Sequence, residues 1–589
     1  MTNNAHPSDP TASPGQVKAA AVDASATVHI KPGPPLEAPT VELANRIEEY
    51  NSKRAETVQT EAAMAFDHMC RENATDAEKL ADRILLRLKK QDETGIFAKA
   101  DMRDGYGNQR HKPFPGDHYL SNISLIEATD VFRAARHAPK GAHLHIHYNA
   151  CLKPRVLLDL AARMDRMFIT SDLPLVFSKD SGDAPHKNFY SCEIQFQITS
   201  VKDENPGNLF SPEYHDRQHM QFCKFLAEFP EKDMKMSAMD WLVSKLVFNE
   251  LETYDIPQTA SGAWECFNAR TRMMKGLFNY ETVYRKYTKR FLRDLIADNI
   301  QYAEIRPNFM PTNQLWNDDG TAKLDNGGIV KLIIDACENF KASKAGKHNF
   351  DGIKIIYCTP RSFSNDQVQL ALEECFEFKR KWPNYIAGFD LVGQEGKGHP
   401  LHHFVPEFLA FKDKCSRHQV DIPFLFHCGE TLDMGTEVDG NLFDALLLDA
   451  KRIGHGFALP RHPHILEEMK HKNVCVEVCP ISNEILGLTP RIGGHTVYSL
   501  LAQNIPCTIN SDNGTLFQSS LSHDFYQILV GKADMGLFGW RQLAEWSLEH
   551  SCLDEEDTKC ARESWLKEWR EYIFWLLKEY ADDTKEEQD

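Results

Sequence analysis

The sequence has no excess of basic residues, and this argues against a polynucleotide partner. Its 589 residues contain 67 Lys and Arg against 85 Asp and Glu, which gives a formal net charge of −18. This negative charge repels a phosphate backbone, and no local run of basic residues offsets it. We therefore expect a small-molecule ligand and no nucleic-acid partner.

Long apolar runs are also missing. No window is apolar enough for a membrane span, and the first residues, rich in Ala, Pro, Thr and Ser, contain no signal-peptide core. The 15 cysteines are scattered and form no CxxC pair, which favours reduced thiols over a disulfide framework. The sequence thus predicts a cytoplasmic protein without a membrane partner, and it leaves secretion by another route open.

Changes in composition divide the chain into four parts. Residues 1–40 are rich in Pro and poor in apolar residues, which predicts a disordered leader. Residues 41–138 show apolar residues at helical spacing and are predicted to form an N-terminal helical region. Residues 139–575 alternate short apolar runs with long amphipathic segments, and residues 576–589 form an acidic tail.

The alternation in the third part predicts an α/β fold, a parallel (β/α)₈ barrel of the TIM type. A stretch at about residues 160–250, containing Asp, Gly, Pro and His, interrupts the alternation, and we interpret it as an insertion after strand 1. In such a barrel the C-terminal strand ends form the active-site face, so residues distant in sequence meet there. The predicted strands are 142–148, 302–306, 353–357, 386–392, 424–427, 452–455, 474–478 and 507–510.

The first predicted strand carries a repeated His-x-His pattern. His143, His145 and His147 share one face, because side chains alternate along a strand. His145 and His147, nearest the strand end, are candidate ligands of one metal ion, since imidazole nitrogens bind zinc at about 2.0–2.1 Å. Taken alone, the pair equally fits a His-rich strand with ordinary hydrogen bonds. His143 lies deeper and is expected to be a buried core residue.

Three further strand ends carry chemically useful groups. The segment FHCGE offers His427 as a third nitrogen ligand and Glu430 as a general acid–base, whose pKa burial would raise towards neutrality. RIGHG places His455 between two glycines, and INSDN ends the last strand with Asp512, a suitable oxygen ligand. Each motif alone also fits a structural turn. Together, three His, one Asp and a nearby Glu predict a metal site with an acid–base group.

Seven segments of the chain occur in the same order as the motifs of a known enzyme family: KGAHLHIH, FDLVGQE, FHCGE, RIGHGFAL, VEVCPISN, SDN and LSHDFY. They resemble the adenosine deaminase family, and most closely its adenosine-deaminase-related growth factor branch. The resemblance extends from about Lys140 to Tyr572. It implies a barrel of the metal-dependent hydrolase class. It also implies zinc-dependent hydrolytic deamination of adenosine to inosine and ammonia, or of a related adenine nucleoside such as 2′-deoxyadenosine.

The resemblance also implies roles for individual residues. Glu430 would move protons, and His455 would orient the attacking hydroxide. The zinc ligands, for one ion per chain, would be His145, His147, His427 and Asp512.

Substrate contacts are implied at three positions. The Gly393 backbone would contact the purine, Trp264 would line the nucleoside pocket, and Asn513 would donate an amide N–H to purine N7. From the sequence alone, Trp264 equally fits a core aromatic residue of an amphipathic helix. Two sites depart from the family pattern. Tyr148 and Asn149 replace an Asp that contacts the ribose, and Asn513, followed by Gly, replaces an Asp that precedes Pro.

Two alternatives stay open on the sequence. One is a deaminase of another amino-purine or of AMP on the same barrel, and a nucleotide enzyme would need Arg or Lys at the pocket mouth for phosphate. The other is a binding or signalling protein that keeps the barrel with weakened catalysis, for which Tyr148 and Asn513 are the arguments. The H-x-E and P-C-x-x-C motifs of other nucleobase deaminases are absent, which argues against their fold. The helical N-terminal region and the resemblance make a homodimer the oligomeric state to test.

Overall fold

A computed structural model describes most of the chain in two compact units, one that ends at Ala63 and one that begins at Met64. The predicted leader lies outside the described residues, as do the last nine residues of the predicted acidic tail. Within the described ranges, no helix is long and apolar enough to cross a membrane. The described residues are 41–177, 186–255, 257–310, 315–344, 346 and 350–580.

Eight parallel strands form the centre of the second unit. Numbered along the chain, they are β1 Ala142–His147, β2 Tyr302–Arg306, β3 Gly352–Pro360, β4 Ile386–Val392, β5 His427–Cys428, β6 Arg452–His455, β7 Cys475–Val478 and β8 Cys507–Ile509. They pair in two four-stranded sheets with the orders β4-β3-β2-β1 and β5-β6-β7-β8. Every pair within these sheets is parallel.

Single parallel bridges link the two sheets on both sides. Phe389 in β4 pairs with Phe424, just before β5, and Ile146 in β1 pairs with Asp512, just after β8. The backbone N–H of His147 donates to the Asp512 carbonyl oxygen at 3.0 Å. The eight strands therefore follow the order of a (β/α)₈ barrel, and the predicted fold class is confirmed.

Burial explains why these segments become strands. Every residue of β2, β4, β6, β7 and β8 is buried, as expected for parallel strands that are covered on both faces. The predicted strand at 424–427 differs from the structure, where regular pairing covers only His427–Cys428. Phe424 contacts β4 through a single bridge, and the pairing does not continue because the backbone N–H of His427 donates to the Asp390 side chain at 2.9 Å.

Helices and one short hairpin complete the barrel after β2. The hairpin pairs Leu315–Trp316 with Lys323–Leu324. Residues 576–579, assigned from the sequence to the acidic tail, form the last turn of the final helix, where Leu576 is buried. The helices are Asn326–Lys341, Asn365–Lys381, Val405–His418, Asn441–Leu447, Pro463–His471, Pro480–Ile485, Val497–Ala502, Gly514–Phe517, Leu521–Val530, Leu537–Glu549 and Glu555–Glu579.

The region at 41–138 contains five helices and a short strand pair. The first helix, described by itself, has no buried residue. In the third helix, Ile84 and Leu88 are buried on the predicted apolar stripe. Its Asp92 carboxylate accepts hydrogen bonds from the N–H groups of Asp130 and Val131. These N–H groups, at the start of the fifth helix, have no hydrogen-bond acceptor within the helix. The helices are Val41–Ala63, His68–Glu72, Asp76–Gly95, Tyr119–Glu127 and Asp130–His137, and the strands are Arg103–Asp104 and Arg110–His111.

The segment between β1 and β2 contains regular structure. Within the stretch interpreted as an insertion, Ile194–Ile198 alternates apolar and polar residues and forms a strand with one buried face. This strand joins an antiparallel sheet with Met167–Ser171, which also pairs with Met220–Gln221. The helices are Pro154–Ala161, Lys187–Ser191, Phe222–Glu228, Glu231–Met234, Ala238–Leu246, Glu250–Tyr254, Ala260–Phe278 and Glu281–Ala297.

One buried carboxylate connects three regions of the second unit. Glu484, in the helix after β7, accepts a hydrogen bond from the Tyr119 backbone N–H at 2.7 Å and one from the Tyr254 hydroxyl at 2.7 Å. Burial raises the pKa of Glu484 to about 7 from its ordinary 4.5. The folded state therefore holds this proton more tightly than the unfolded chain does, and ionisation of Glu484 costs stability as the pH rises from 4.5 through 7.

We predict that Glu484→Gln reduces the loss of thermal stability between about pH 5 and pH 8, because the amide keeps an acceptor oxygen but cannot ionise. Thermal melts across this pH range measure the effect. The exposed Glu467→Gln variant is the matched control and should follow the wild type. Parallel pH profiles for Glu484→Gln and the wild type would contradict the role assigned to this carboxylate.

Candidate metal centre

The four side chains predicted as metal ligands meet at the C-terminal ends of β1, β5 and β8. His147 Nε2 lies 3.3 Å from His427 Nε2 and 3.3 Å from Asp512 Oδ1. His145 Nε2 lies 3.7 Å from the same Asp512 oxygen. Ligand atoms bound tetrahedrally to zinc at about 2.0–2.1 Å would lie about 3.3 Å apart. The donor atoms are therefore spaced as ligands of one small cation would be.

An unpartnered nitrogen at the centre of this group also fits a metal. His145 Nδ1 donates to Glu477 Oε2 at 2.8 Å, so the lone pair of the neutral ring is on Nε2. That Nε2 atom is buried and has no hydrogen-bond partner among the described residues. A buried acceptor without a partner costs stability, which a bound cation would offset. Three histidines and one aspartate are a donor set that suits zinc.

A second buried carboxylate fixes another ligand in the same way. His427 Nδ1 donates to Asp390 Oδ2 at 2.7 Å, which leaves the His427 Nε2 lone pair for a metal. Arg306 lies between the two carboxylates, 2.9 Å from Asp390 and 2.6 Å from Glu477. Asp390 and Glu477 are absent from the sequence-predicted site. Both lie in motifs that carry the family resemblance. An acidic residue within an otherwise apolar predicted strand was the sequence signal that could have identified them.

Two glycines flank His455, and Gly454 is required by close packing. A Cβ atom at Gly454 would lie 2.9 Å from His145 Cε1 and 3.3 Å from the Cα atom of His427. Any larger residue would therefore push against one ligand ring and the backbone of another. His455 itself has a φ of 63°, a left-handed conformation that few residues other than glycine adopt.

Glu430 and His455 lie beside the ligands. His455 Nδ1 is 3.4 Å from Glu430 Oε1, which is too long for a good hydrogen bond. Burial, followed by the charges of Asp512 and Glu395, raises the pKa of Glu430 well above its ordinary value. A bound dication would lower this pKa again, towards the range in which a carboxyl both gives and takes a proton.

A chain of hydrogen bonds fixes the tautomer of His455. The Val497 backbone N–H donates to His495 Nδ1 at 3.0 Å, so His495 carries its proton on Nε2 and donates it to Asn483 Oδ1 at 3.0 Å. The Asn483 amide nitrogen then donates to His455 Nδ1 at 3.0 Å. Neutral His455 therefore carries its proton on Nε2. None of these supporting residues was predicted from the sequence.

Asp512 accepts hydrogen bonds on both carboxylate oxygens. The Ser482 hydroxyl donates to Oδ2 at 2.7 Å, and the Asn513 amide donates to Oδ1 at 2.8 Å. Asn513, for which the sequence predicts a purine contact, thus uses one of its two N–H groups to hold a predicted metal ligand. Its second N–H is available for a different acceptor.

The comparisons with known proteins agree with this geometry. A profile of the family described as adenosine deaminase matches residues 247–566. Adenosine deaminase from Aedes albopictus is 30% identical and covers 89% of this chain and 88% of its own. Adenosine deaminase from Lutzomyia longipalpis is 36% identical over 78% of this chain and 82% of its own. Adenosine deaminase 2 from Homo sapiens is 30% identical over 78% of this chain and 83% of its own.

The chain belongs to the adenosine deaminase family. The matches to proteins named adenosine deaminase 2 place it in the adenosine-deaminase-related growth factor branch, as the motifs predicted. The family is one of aminohydrolases, so the chain is an enzyme of this class. The matched residues include β2 to β8, while β1, with His145 and His147, lies before the matched range.

Three of the four predicted metal ligands, His147, His427 and Asp512, line a cavity of about 360 Å³. This volume lies in the range of small-molecule pockets, about 300–1,000 Å³. Trp264, Gly393 and Asn513, the three predicted substrate contacts, line the same cavity, as do Glu430 and His455.

The two residues after the His-x-His pair have separate positions. Tyr148 is fully buried, and its hydroxyl donates to Thr288 Oγ1 at 2.5 Å, so it is a core residue. Asn149 lines the cavity. Of these two residues, Asn149 is therefore the one that bears on the substrate, with a neutral amide in the cavity wall.

We predict that Asp390→Asn weakens zinc binding by about 10- to 100-fold, because the amide no longer holds the His427 ring as a charged acceptor does. Competition with a chelator of known affinity measures the change. The exposed Asp366→Asn variant should bind zinc like the wild type. Unchanged affinity in Asp390→Asn would show that this carboxylate does not support the metal.

We also predict that Gly454→Ala lowers zinc content and activity, because its Cβ would displace the His145 ring. Gly95→Ala is the matched control, since a Cβ there meets no atom within 4 Å. Metal analysis of both purified variants decides the question. Full zinc occupancy in Gly454→Ala would contradict the close packing described above.

Proposed function

We propose that the protein catalyses the zinc-dependent hydrolytic deamination of adenosine to inosine and ammonia, or of a closely related adenine nucleoside such as 2′-deoxyadenosine. The observation that carries this proposal is that His145, His147, His427 and Asp512 lie together. The buried His145 Nε2 has no hydrogen-bond partner among the described residues, and Glu430 lies beside the group. The names of the relatives, adenosine deaminase and adenosine deaminase 2, support the choice of substrate.

The four ligands would hold one zinc ion per chain. When bound, zinc acts as a Lewis acid that lowers the pKa of water from 15.7 to about 7 and so supplies the nucleophile at neutral pH. Glu477 and Asp390 accept hydrogen bonds from Nδ1 of His145 and His427, so the lone pair of each ring is on Nε2, where it could bind the ion.

Glu430 has the properties that the acid–base step requires. In its protonated form it would donate to N1 of the purine, which makes C6 more electrophilic and disrupts the aromaticity of the ring. As a carboxylate it would then accept the proton of the hydroxyl group added at C6 and pass it to the amine, so that the C6–N bond breaks, ammonia leaves and a 6-oxo purine remains. Its burial and its position in the cavity wall beside His455 support this role.

His455 would orient the nucleophile. Because its proton is on Nε2, His455 can donate a hydrogen bond from that atom, while Asn483 holds Nδ1. The left-handed backbone at His455 and at Asp512, with φ of 63° and 55°, is typical of strain retained at functional sites. Trp264, Gly393 and Asn513 would contact the nucleoside.

We predict that Glu430→Gln keeps zinc but loses a factor of about 10²–10⁴ or more in turnover, because an amide cannot transfer a proton. Loss of adenine absorbance, ammonia release and zinc content should be measured on the same sample. Glu437→Gln, an exposed residue in the following loop, should behave like the wild type. A near-normal rate in Glu430→Gln would remove this residue from the mechanism.

A substrate panel tests the reaction itself. Zinc-loaded protein should deaminate adenosine and 2′-deoxyadenosine faster than adenine or guanosine. Absence of ammonia release from every adenine compound would favour a binding or signalling protein on this barrel. The homodimer and the cytoplasmic location expected from the sequence stay predictions.

A further inference from the structure

One helix of the insertion forms a wall of the catalytic cavity. Residues of Ala260–Phe278 that line it recur at helical spacing, so they share one face: Trp264, Phe267, Asn268, Thr271, Arg272, Lys275 and Phe278. At 1.5 Å per residue, Trp264 and Lys275 are about 16 Å apart along the helix. The chemistry of this face changes along its length, from aromatic side chains to neutral polar groups and then to two cations, with Phe278 at the helix end.

The charges around the cavity are separated. Among the described residues that line it, the carboxylates are Glu430 and Asp512, both in the catalytic centre. The cationic side chains are Arg272 and Lys275, at the C-terminal half of the helix. The whole chain carries a net charge of −18, so this basic end is a local exception. Such a separation favours a substrate with an anionic group away from the reacting base.

Both cations line the cavity that also contains Glu430 and Asp512. Arg272 is half-exposed and forms a two-pronged contact with Glu193, 2.9 Å at each prong. The Glu193 carboxylate is 25% exposed and also lies 3.5 Å from Arg217, so a phosphate would compete with this carboxylate for the guanidinium of Arg272. Burial lowers the pKa of Lys275, and the nearby charge of Lys323 lowers it further.

We propose that Arg272 and Lys275 form a subsite for a phosphate on the ribose, so that adenosine monophosphate is deaminated at the same centre. This inference rests on the proposed function, because it uses the same reaction at C6. Arg offers several donors to phosphate oxygens, and Lys adds a compact positive charge. Asn268 and Thr271, on the same helix face, supply neutral hydrogen-bonding groups between the cations and the aromatic end.

Kinetics with the zinc-loaded full chain test the subsite. Adenosine, 5′-AMP and 3′-AMP are compared, and the two nucleotides identify which ribose oxygen carries the phosphate. We expect turnover of at least one nucleotide. In the double variant Arg272→Gln, Lys275→Gln, the ratio of kcat/KM for that nucleotide to kcat/KM for adenosine should fall at least tenfold, since a hydrogen bond to a charged group contributes about 1.5–3 kcal/mol.

Two further variants sharpen the test. Glu193→Gln should raise the same ratio, because it frees Arg272 from its carboxylate partner. Arg285→Gln is the matched control: Arg285 is similarly exposed and pairs with Glu281, but it does not line the cavity. Arg285→Gln should leave kcat/KM for both the nucleotide and adenosine unchanged. A double variant with an unchanged ratio would overturn the proposal.

Equilibrium binding separates failure of the subsite from failure of the reaction. Inosine and inosine monophosphate, the 6-oxo products, bind without turnover and are titrated by calorimetry. The phosphate should tighten binding at least tenfold in the wild type, and the double variant should lose this gain. If adenosine is deaminated but the phosphate brings neither turnover nor tighter binding, the subsite is wrong and the proposed function stands. If no substrate reacts, the proposed function fails, and the binding ratio alone decides the subsite.

Discussion

The catalytic centre depends on the ion pairs that the buried guanidinium of Arg306 forms with Asp390 and Glu477. It donates to Asp390 at 2.9 Å, to Glu477 at 2.6 Å and to the Leu144 carbonyl oxygen at 2.7 Å, and so joins β2 to β4, β7 and β1. Removing one partner of a buried ion pair costs about 3–5 kcal/mol, because the other charge is left unpaired. The same two carboxylates hold His145 and His427, so the packing of these strands and the orientation of two predicted metal ligands depend on the same guanidinium.

The charges of this network also fit a divalent metal. Arg452 extends it, because its guanidinium contacts Glu477 at 2.6 Å and Glu304 at 2.6 Å. Three buried carboxylates therefore face two guanidinium groups, and Asp512 adds one more negative charge. The excess of two negative charges equals the charge of one dication, if Glu430 is protonated. Burial of uncompensated charge is costly, so this balance favours a metal-loaded state over a metal-free one.

Local sequence patterns predicted the barrel strands and the residues at their ends, because buried parallel strands are apolar runs and active-site groups follow them directly. They did not predict Asp390, Glu477 and Arg306, whose roles come from pairings such as Arg306 with Glu477, 171 positions apart. Spacing along one strand shows which face a side chain occupies but not its partner. The sequence also does not predict that Arg272 and Lys275 line the cavity, because the pattern of Ala260–Phe278 is that of an ordinary amphipathic helix and its position depends on the folded barrel.

The most direct test of the account is X-ray absorption at the zinc edge on purified protein, together with metal analysis. It should show one zinc per chain with three imidazole nitrogens and carboxylate or water oxygens at about 2.0–2.2 Å. A protein that binds no zinc, or zinc bound by sulfur at about 2.3 Å, would contradict the claim that His145, His147, His427 and Asp512 share one ion.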